Sequence, residues 1–254
     1  MELMEEVLVD NGLLFAFALI GLLMWFSNRI SQRLSGGRIH GSAVAIALGL
    51  ALAYFGGRVS GGTKGLSDIP LFGGLALMGG AMLRDFAIVS TAYGVEFSEM
   101  RRAGLVGVLS LILGLVLSFV AGGLVALAFG YSDAVSITTL GAGAATYIVG
   151  PVTGTALGAS SEVMALSVAA GLVKSVLVMI GTPFVAPLIG LDNPKAAMAY
   201  GGLMGTTSGV SGGLAATDKR LVPYGAMTAT FYTGLGCLLG PSLFFLFVRG
   251  LLPA

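Results

Sequence analysis

The feature that most constrains this chain is a pair of segments apolar enough to enter a membrane yet poorly made for a continuous helix. Leu140 to Ser161 reads LGAGAATYIVGPVTGTALGASS and Tyr200 to Asp218 reads YGGLMGTTSGVSGGLAATD, both crowded with Gly, Ser and Thr. Irregular backbone survives at membrane depth only where protein or a water-filled cavity meets its freed carbonyls and amides. Paired interrupted spans therefore point to a solute-binding site.

Composition places the chain in a membrane: 56% of its 254 residues are hydrophobic and 10% charged, the balance of a polytopic membrane protein. Taking about 20 apolar residues for each crossing, about eight candidate spans emerge. They lie at roughly 8–27, 40–57, 69–94, 103–129, 134–160, 163–190, 196–217 and 222–249. The expected fold is thus an all-α polytopic membrane protein, some of its segments discontinuous, forming a single integral membrane transporter domain over residues 1–254. The leader carries Glu2, Glu5, Glu6 and Asp10, whereas a cleaved secretory signal opens with positive charge. The first apolar run is therefore expected to be retained.

Several function classes fall away on the same residues. A net charge of +1 without a Lys/Arg cluster excludes a nucleic-acid surface. The lone Cys237 rules out an intrachain disulfide, and the lone His40, in a basic loop, rules out a His-rich metal site. Gly209-Val210-Ser211-Gly212-Gly213 fits G-x-S-x-G formally. That motif needs a strand-to-helix turn in an α/β sheet, and here it sits in a membrane segment. No phosphate-binding loop or dinucleotide fingerprint is present, so neither catalysis nor a cofactor is expected and an ion gradient is the simplest energy source. Basic residues set the orientation. With the N-terminus outside, Arg29, Arg33, Arg38, Arg101, Arg102, Lys219 and Arg220 fall in the cytoplasm and Arg58, Lys64, Lys195 and Arg249 outside.

The glycines of both segments recur every fourth residue, as Gly150, Gly154 and Gly158 and as Gly201, Gly205, Gly209 and Gly213, which on a continuous helix makes a packing seam. A seam leaves unexplained the hydroxyls between them: Thr146, Tyr147, Thr153 and Thr155, then Thr206, Thr207, Ser208 and Ser211. Pro151 also removes an amide and disfavours helical geometry at Gly150, so the fifth span is expected to break there. The amino end of a half-helix suits a carboxylate, and freed carbonyls and hydroxyls suit Na+. The substrate-binding candidates are accordingly Thr146, Tyr147, Gly150, Pro151, Thr153, Gly154, Thr155, Thr206, Thr207, Ser208, Gly209 and Ser211, with Arg84 added below. The ion-binding candidates are Asp85, Thr153, Ser208, Ser211 and Asp218, and Glu162 and Asp218, each just past one of the segments, read either as acidic members of the site or as ordinary carboxylates at helix ends.

Arg84 and Lys174 fall inside apolar runs, where a charge costs at least about 2.5 to 3.5 kcal/mol and so faces a cavity or a partner. Arg84 either meets an anionic substrate or pairs with Asp85; Lys174 pairs with a carboxylate such as Asp85, snorkels along its stem, or meets the substrate. An internal repeat is suggested by Gly73 to Gly80 resembling Gly201 to Gly205, four spans apart and in the same orientation.

Over its full length the chain resembles the MadM family, the larger membrane subunit of the bacterial two-component malonate transporter. The most distinctive pieces are Gly143-Ala144-Ala145-Thr146-Tyr147-Ile148-Val149-Gly150-Pro151-Val152-Thr153-Gly154 and Gly205-Thr206-Thr207-Ser208-Gly209-Val210-Ser211-Gly212-Gly213. The resemblance implies sodium-coupled malonate uptake across the bacterial inner membrane, with a smaller membrane subunit, MadL, as partner. More distantly, Gly181-Thr182-Pro183 and Gly190-Leu191-Asp192-Asn193-Pro194 are similar to LrgB-like carriers of small carboxylates. The alternatives are a channel or holin-like protein, a glycolate-type monocarboxylate carrier, and, least supported, a membrane enzyme.

If Arg84 meets the anion, Arg84→Gln raises the malonate concentration for half-maximal uptake about tenfold, the loss of ~1.4 kcal/mol. Loss of folding without a change in that concentration identifies the Arg84 to Asp85 pair instead.

Overall fold

The computed structural model describes residues 2–36, 41–61, 65–77 and 97–252. The chain forms two compact units, Met1–Ser90 and Thr91–Ala254. The first holds helices α1 (Glu2–Asp10), α2 (Gly12–Ser35) and α3 (Gly41–Ser60), then two short 3-10 turns and a single helical turn, α4 (Gly74–Leu77). Gly12 and Gly74 meet backbone to backbone, and Phe15 lies 6.0 Å from Phe72 between ring centroids.

The second unit comprises α5 (Phe97–Ala128), α6 (Ala134–Ala145), α7 (Val149–Leu157), α8 (Ser161–Val185), α9 (Pro194–Met204), α10 (Thr207–Ala215), α11 (Val222–Leu239) and α12 (Phe245–Leu251). A π-helical turn, Gly240–Phe244, joins α11 to α12 where Pro241 withdraws an amide. Among the described residues four helical stretches are long and apolar enough to cross a membrane: Gly12–Leu34, Gly104–Ala128, Glu162–Val185 and Lys219–Leu251. They correspond to the first, fourth, sixth and eighth expected spans. The second is the helix α3, and most of the third lies outside the described residues.

Each of the fifth and seventh expected spans is folded as two short helices rather than one long one. At Thr146 the chain leaves α6 in extended backbone (φ −159°, ψ 151°) and doubles back through α7. A methyl group added at Gly150 would lie 2.9 Å from the Gly143 Cα, and one at Gly154 would lie 2.9 Å from the Thr139 Cγ2. Residues so far apart in sequence share a level only in an antiparallel hairpin. The second hairpin turns at Gly205 (φ 68°) and Thr206, and Gly225 of α11 wedges between its arms, against Ala197 on one side and Val210 and Leu214 on the other. The expected break at Gly150 and Pro151 is displaced to Thr146 for a simple reason. In the first turn of α7 a proline loses only an amide that has no intrahelical partner anyway.

The two hairpins and the helices after them form a repeat. Asp133 caps α6 through Ser136 N at 2.8 Å, and Asn193 caps α9 through Ala196 N at 3.0 Å. Each cap leads, at the same spacing, to the turn threonine, Thr146 or Thr206. Helix α8 runs alongside α6, Ser167 against Gly143 and Gly171 against Tyr147, and then alongside α10, Met179 against Gly212 and Thr182 against Gly213. In the same way α11 follows α9, Thr228 against Gly201 and Tyr232 against Gly205, before meeting α7 through Gly236 on Val149 and Gly240 on Thr153. These directions make α8 and α11 antiparallel, so the hairpins enter from opposite faces. The expected likeness of Gly73 to Gly80 with Gly201 to Gly205 reaches residues outside the description; the repeat that is visible is this inverted one, within residues 133–251.

Polarity in this unit is inverted relative to a water-soluble protein. Leu105, Leu117, Leu177 and Leu238 are each at least 60% exposed, while Thr138, Thr139, Thr153, Ser167, Ser175, Thr182 and Thr206 are completely buried. That is the pattern of helices solvated by lipid and joined through small residues and hydroxyls.

The hairpins dictate sidedness. In a variant carrying Cys237→Ala, cysteines at Ser132 and Glu162 should react with an impermeant maleimide from one face of sealed vesicles, and cysteines at Asp192 and Lys219 from the other. Crossing spans instead would put the members of each pair on opposite faces.

Candidate functional site

Both hairpin turns lie beside the middle of α5, where Gly114 packs on Leu203 of α9 and Gly122 lies against Gly141 of α6. The chain must satisfy there, far from either end of the bundle, the polar groups that the turns release. Within each turn a threonine begins the repair. Thr146 Oγ1 accepts from Ile148 N at 3.2 Å, and its carbonyl accepts from Val149 N at 3.0 Å. Thr206 Oγ1 accepts from Gly209 N at 3.4 Å, and its carbonyl accepts from Val210 N at 2.8 Å.

Two adjacent residues of α8 then join the turns. Ser175 shares a short hydrogen bond with Thr206 Oγ1 of the second hairpin. Lys174 Nζ donates to Ala145 O at the end of α6 (2.9 Å), to Ser118 Oγ of α5 (2.8 Å) and to Tyr232 OH of α11 (3.4 Å). Tyr232 is fully buried, donates to Gly114 O at 3.2 Å, and fills the space over Gly205, where any side chain would strike its ring. Lys174 thus stands at the negative end of α6, where a cation is favoured.

Of the expected site residues, Thr146, Tyr147 and Thr206 lie in the turns and Gly150, Pro151, Thr207, Ser208, Gly209 and Ser211 in the first two turns of α7 or α10. Gly150 and Gly209 act as close-packing positions, against Ser167 and Ser175 respectively. Thr153 lies deeper along α7, and its Oγ1, like that of Thr207, is buried without a hydrogen-bond partner among the described residues. Gly154 packs on Met164, and Thr155 is exposed, its hydroxyl 3.7 Å from the Met164 sulfur. Asp218 lies past the far end of α10 from Thr206, in an ion pair of 2.7 Å with Arg220. Hydrogen bonds from that guanidinium hold its carboxyl below the usual carboxylate range. Arg84 and Asp85 lie outside the described residues.

Sequence reading missed Ser118, Ser175 and Tyr232. The polar pair Lys174-Ser175 within the apolar run of the sixth span was the available signal, since neither residue belongs in hydrocarbon without a partner.

Among the described residues no three His, Cys, Asp or Glu side chains gather to hold a metal. The oxygens available at the turns are uncharged carbonyls and hydroxyls, a set that suits a weakly held hard cation. Two open grooves of about 660 and 1010 Å³ flank the hairpins, the first lined by Val108, Ile112 and Phe231 and the second by Val125, Leu166 and Val173 among others. Their walls are mostly hydrocarbon and suit lipid or another apolar helix, and Lys174, Ser118 and Tyr131 also line the second.

A family model described as "Malonate/sodium symporter MadM subunit" matches residues 4–252. Comparison with curated proteins and with solved structures gives no match.

Thr153 separates packing from binding. A buried hydroxyl without a partner costs about 1 to 3 kcal/mol, so Thr153→Val, which keeps the shape, should leave the thermal unfolding temperature unchanged or raised. If that hydroxyl is an ion or substrate ligand, uptake of labelled malonate falls in the same variant; uptake at the wild-type rate removes Thr153 from the site.

Proposed function

The chain belongs to the malonate/sodium symporter MadM subunit family, and we propose that its two hairpin turns form the compartment in which that symporter holds malonate and Na+. The observation that carries this reading is the meeting of the turns: hairpins from opposite faces end on adjacent residues, Lys174 and Ser175, of one helix. An inverted repeat with its broken segments end to end is the arrangement from which alternating access is built. At α7 the amides of Ile148, Val149 and Gly150 are already bonded to Thr146, so the amino end of α10, with its positive dipole, is the place offered to a carboxylate, and the ends of α6 and α9 offer carbonyls to a cation.

In this proposal the substrate contacts come from Thr146, Tyr147, Gly150, Pro151, Thr153, Gly154 and Thr155 of the first hairpin. Thr206, Thr207, Ser208, Gly209 and Ser211 contribute from the second. Arg84 serves as a further anion contact and Asp85 and Asp218 as acidic groups of the ion path. Residues 1–254 act as one transporter domain in the bacterial inner membrane, embedded in lipid and completed by the small subunit MadL. Orientation follows from charge: with the hairpins doubled back, Arg101, Arg102, Lys195, Lys219 and Arg220 share one face of the second unit, against Arg249 on the other. The richer face is cytoplasmic by the positive-inside rule. Lys195 changes side relative to the crossing-span expectation, and the bias sharpens.

The test is uptake of labelled malonate by the full-length chain reconstituted with its small partner. A saturable uptake that runs uphill when an inward Na+ gradient is imposed, and that a proton gradient of the same size does not drive, is the expected result. Flux that only dissipates the malonate gradient, without saturation, overturns the carrier in favour of a channel.

A further inference from the structure

The inverted repeat sets a tyrosine against a glycine at both hairpin turns, with the partners exchanged. At the first turn the hairpin supplies the tyrosine, Tyr147, and the long helix α8 supplies the glycine, Gly171. At the second the hairpin supplies Gly205 and the long helix α11 supplies Tyr232. The exchange matters because of what each tyrosine is attached to. Tyr147 belongs to its turn and moves with it, whereas Tyr232 belongs to a helix that passes the second hairpin and goes on to Val149 and Thr153 of the first.

Tyr232 is fully buried, and both ends of its side chain are engaged. Its ring covers Gly205, whose left-handed backbone (φ 68°) makes the turn, so closely that a methyl group there would strike it. Its hydroxyl donates to Gly114 O of α5 at 3.2 Å and accepts from Lys174 Nζ at 3.4 Å. Lys174 in turn donates, at 2.9 Å, to the carbonyl of Ala145, the last residue of α6 before the Thr146 turn. A continuous line of contacts therefore runs from the second turn to the first, through the Tyr232 ring, its hydroxyl, the Lys174 ammonium and the Ala145 carbonyl. A side chain that only filled the space over Gly205 would have no use for the hydroxyl, because phenylalanine brings the same ring without a polar atom to satisfy in an apolar interior.

We propose that Tyr232 is the positioning residue that couples the two turns, so that a ligand settling at one raises the affinity of the other. The inference rests on the Na+-coupled malonate reading and names the residue through which, in that reading, the two passengers sense each other. A carboxylate drawn to the amino end of α10 shifts the second turn, Gly205 presses on the Tyr232 ring, and close packing passes the shift along the side chain. The hydroxyl carries it to Lys174 and so to the carbonyl end of α6, one of the ends offered to the cation. Tyr232 itself touches neither passenger; its hydroxyl holds a coupling free energy between their places.

Tyr232→Phe keeps the ring over Gly205 and deletes the link to Lys174. The measurement is equilibrium binding of labelled malonate and of radioactive Na+ to the full-length chain reconstituted with its small partner, each ligand with and without the other. In the wild type, Na+ should tighten malonate binding by a factor of about 5 to 150, the usual span of such couplings. In Tyr232→Phe that factor should fall several-fold, toward about one, while the affinity for each ligand measured alone stays at the wild-type value. An unchanged factor overturns the proposal. So does a changed affinity for either ligand measured alone, which makes Tyr232 a direct contact of that passenger. Tyr200→Phe is the control, since it removes another tyrosine hydroxyl, bonded at 2.8 Å to Thr182, from outside the line of contacts. It should leave the factor unchanged; a fall equal to that in Tyr232→Phe signals general loosening and overturns the proposal. If Tyr232→Phe does not fold, Lys174→Met cuts the same line at its next member while keeping the stem, with the same fall expected and an unchanged factor as the contrary result. A wild type in which Na+ has no effect on malonate binding would instead count against the symporter reading itself.

Discussion

Everything in the second unit follows from the need to satisfy backbone polar groups released in the interior of an apolar assembly. A helix hides its own amides and carbonyls, but a chain that turns back halfway must expose some of each. The turns at Thr146 and Thr206 are tolerable because α8 passes both and presents two successive polar side chains, one to each. Lys174 meets the carbonyl end of one arm and Ser175 meets the hydroxyl that caps another. The two turns are thereby joined to neighbouring residues of α8, and it is there that the compartment for the passenger is proposed.

Glycine makes the approach close enough. Gly143 on Ser167, Gly171 on Tyr147, Gly201 on Thr228 and Gly213 on Thr182 are all positions where a side chain would collide with the neighbouring helix. With lipid outside, burial of hydrocarbon gives no preference for helix against helix, and contact at this range together with hydroxyl bonds has to hold the bundle. Thr182 and Tyr200, joined at 2.8 Å, and Thr228, donating to Met198 O at 2.8 Å, are examples on the second hairpin. The π turn at Gly240 lies against Thr153 of the first hairpin, and Thr182 of α8 occupies the corresponding position against Gly213 of the second.

Much of this was legible in the sequence. The Gly, Ser and Thr crowding located both interrupted segments, the composition identified the membrane, and the hydroxyls marked the turns. The path of the chain was less legible, because arms of 12 and 9 residues have the same summed length whether they cross or double back. Pro151 drew the expected break toward itself, although a proline in a first turn is helix-compatible and the extended residue is Thr146. The repeat was hidden for a related reason: its equivalences are carried by caps and turns, Asp133 with Asn193 and Thr146 with Thr206, and Gly/Leu runs elsewhere in the chain look more alike than these do. Ser118 and Tyr232 left no such signal as the Lys174-Ser175 pair, because their role depends on which helix they pass.

The most direct test of the account is a density map of the reconstituted chain at side-chain resolution, recorded with malonate and Na+. The account predicts that residues 134–157 and 194–215 each turn back at the bilayer centre, from opposite faces, with density for the passenger between Thr146 and Thr206. Either segment running straight through to the far face, or two turns sealed together with the passenger bound elsewhere, would contradict it.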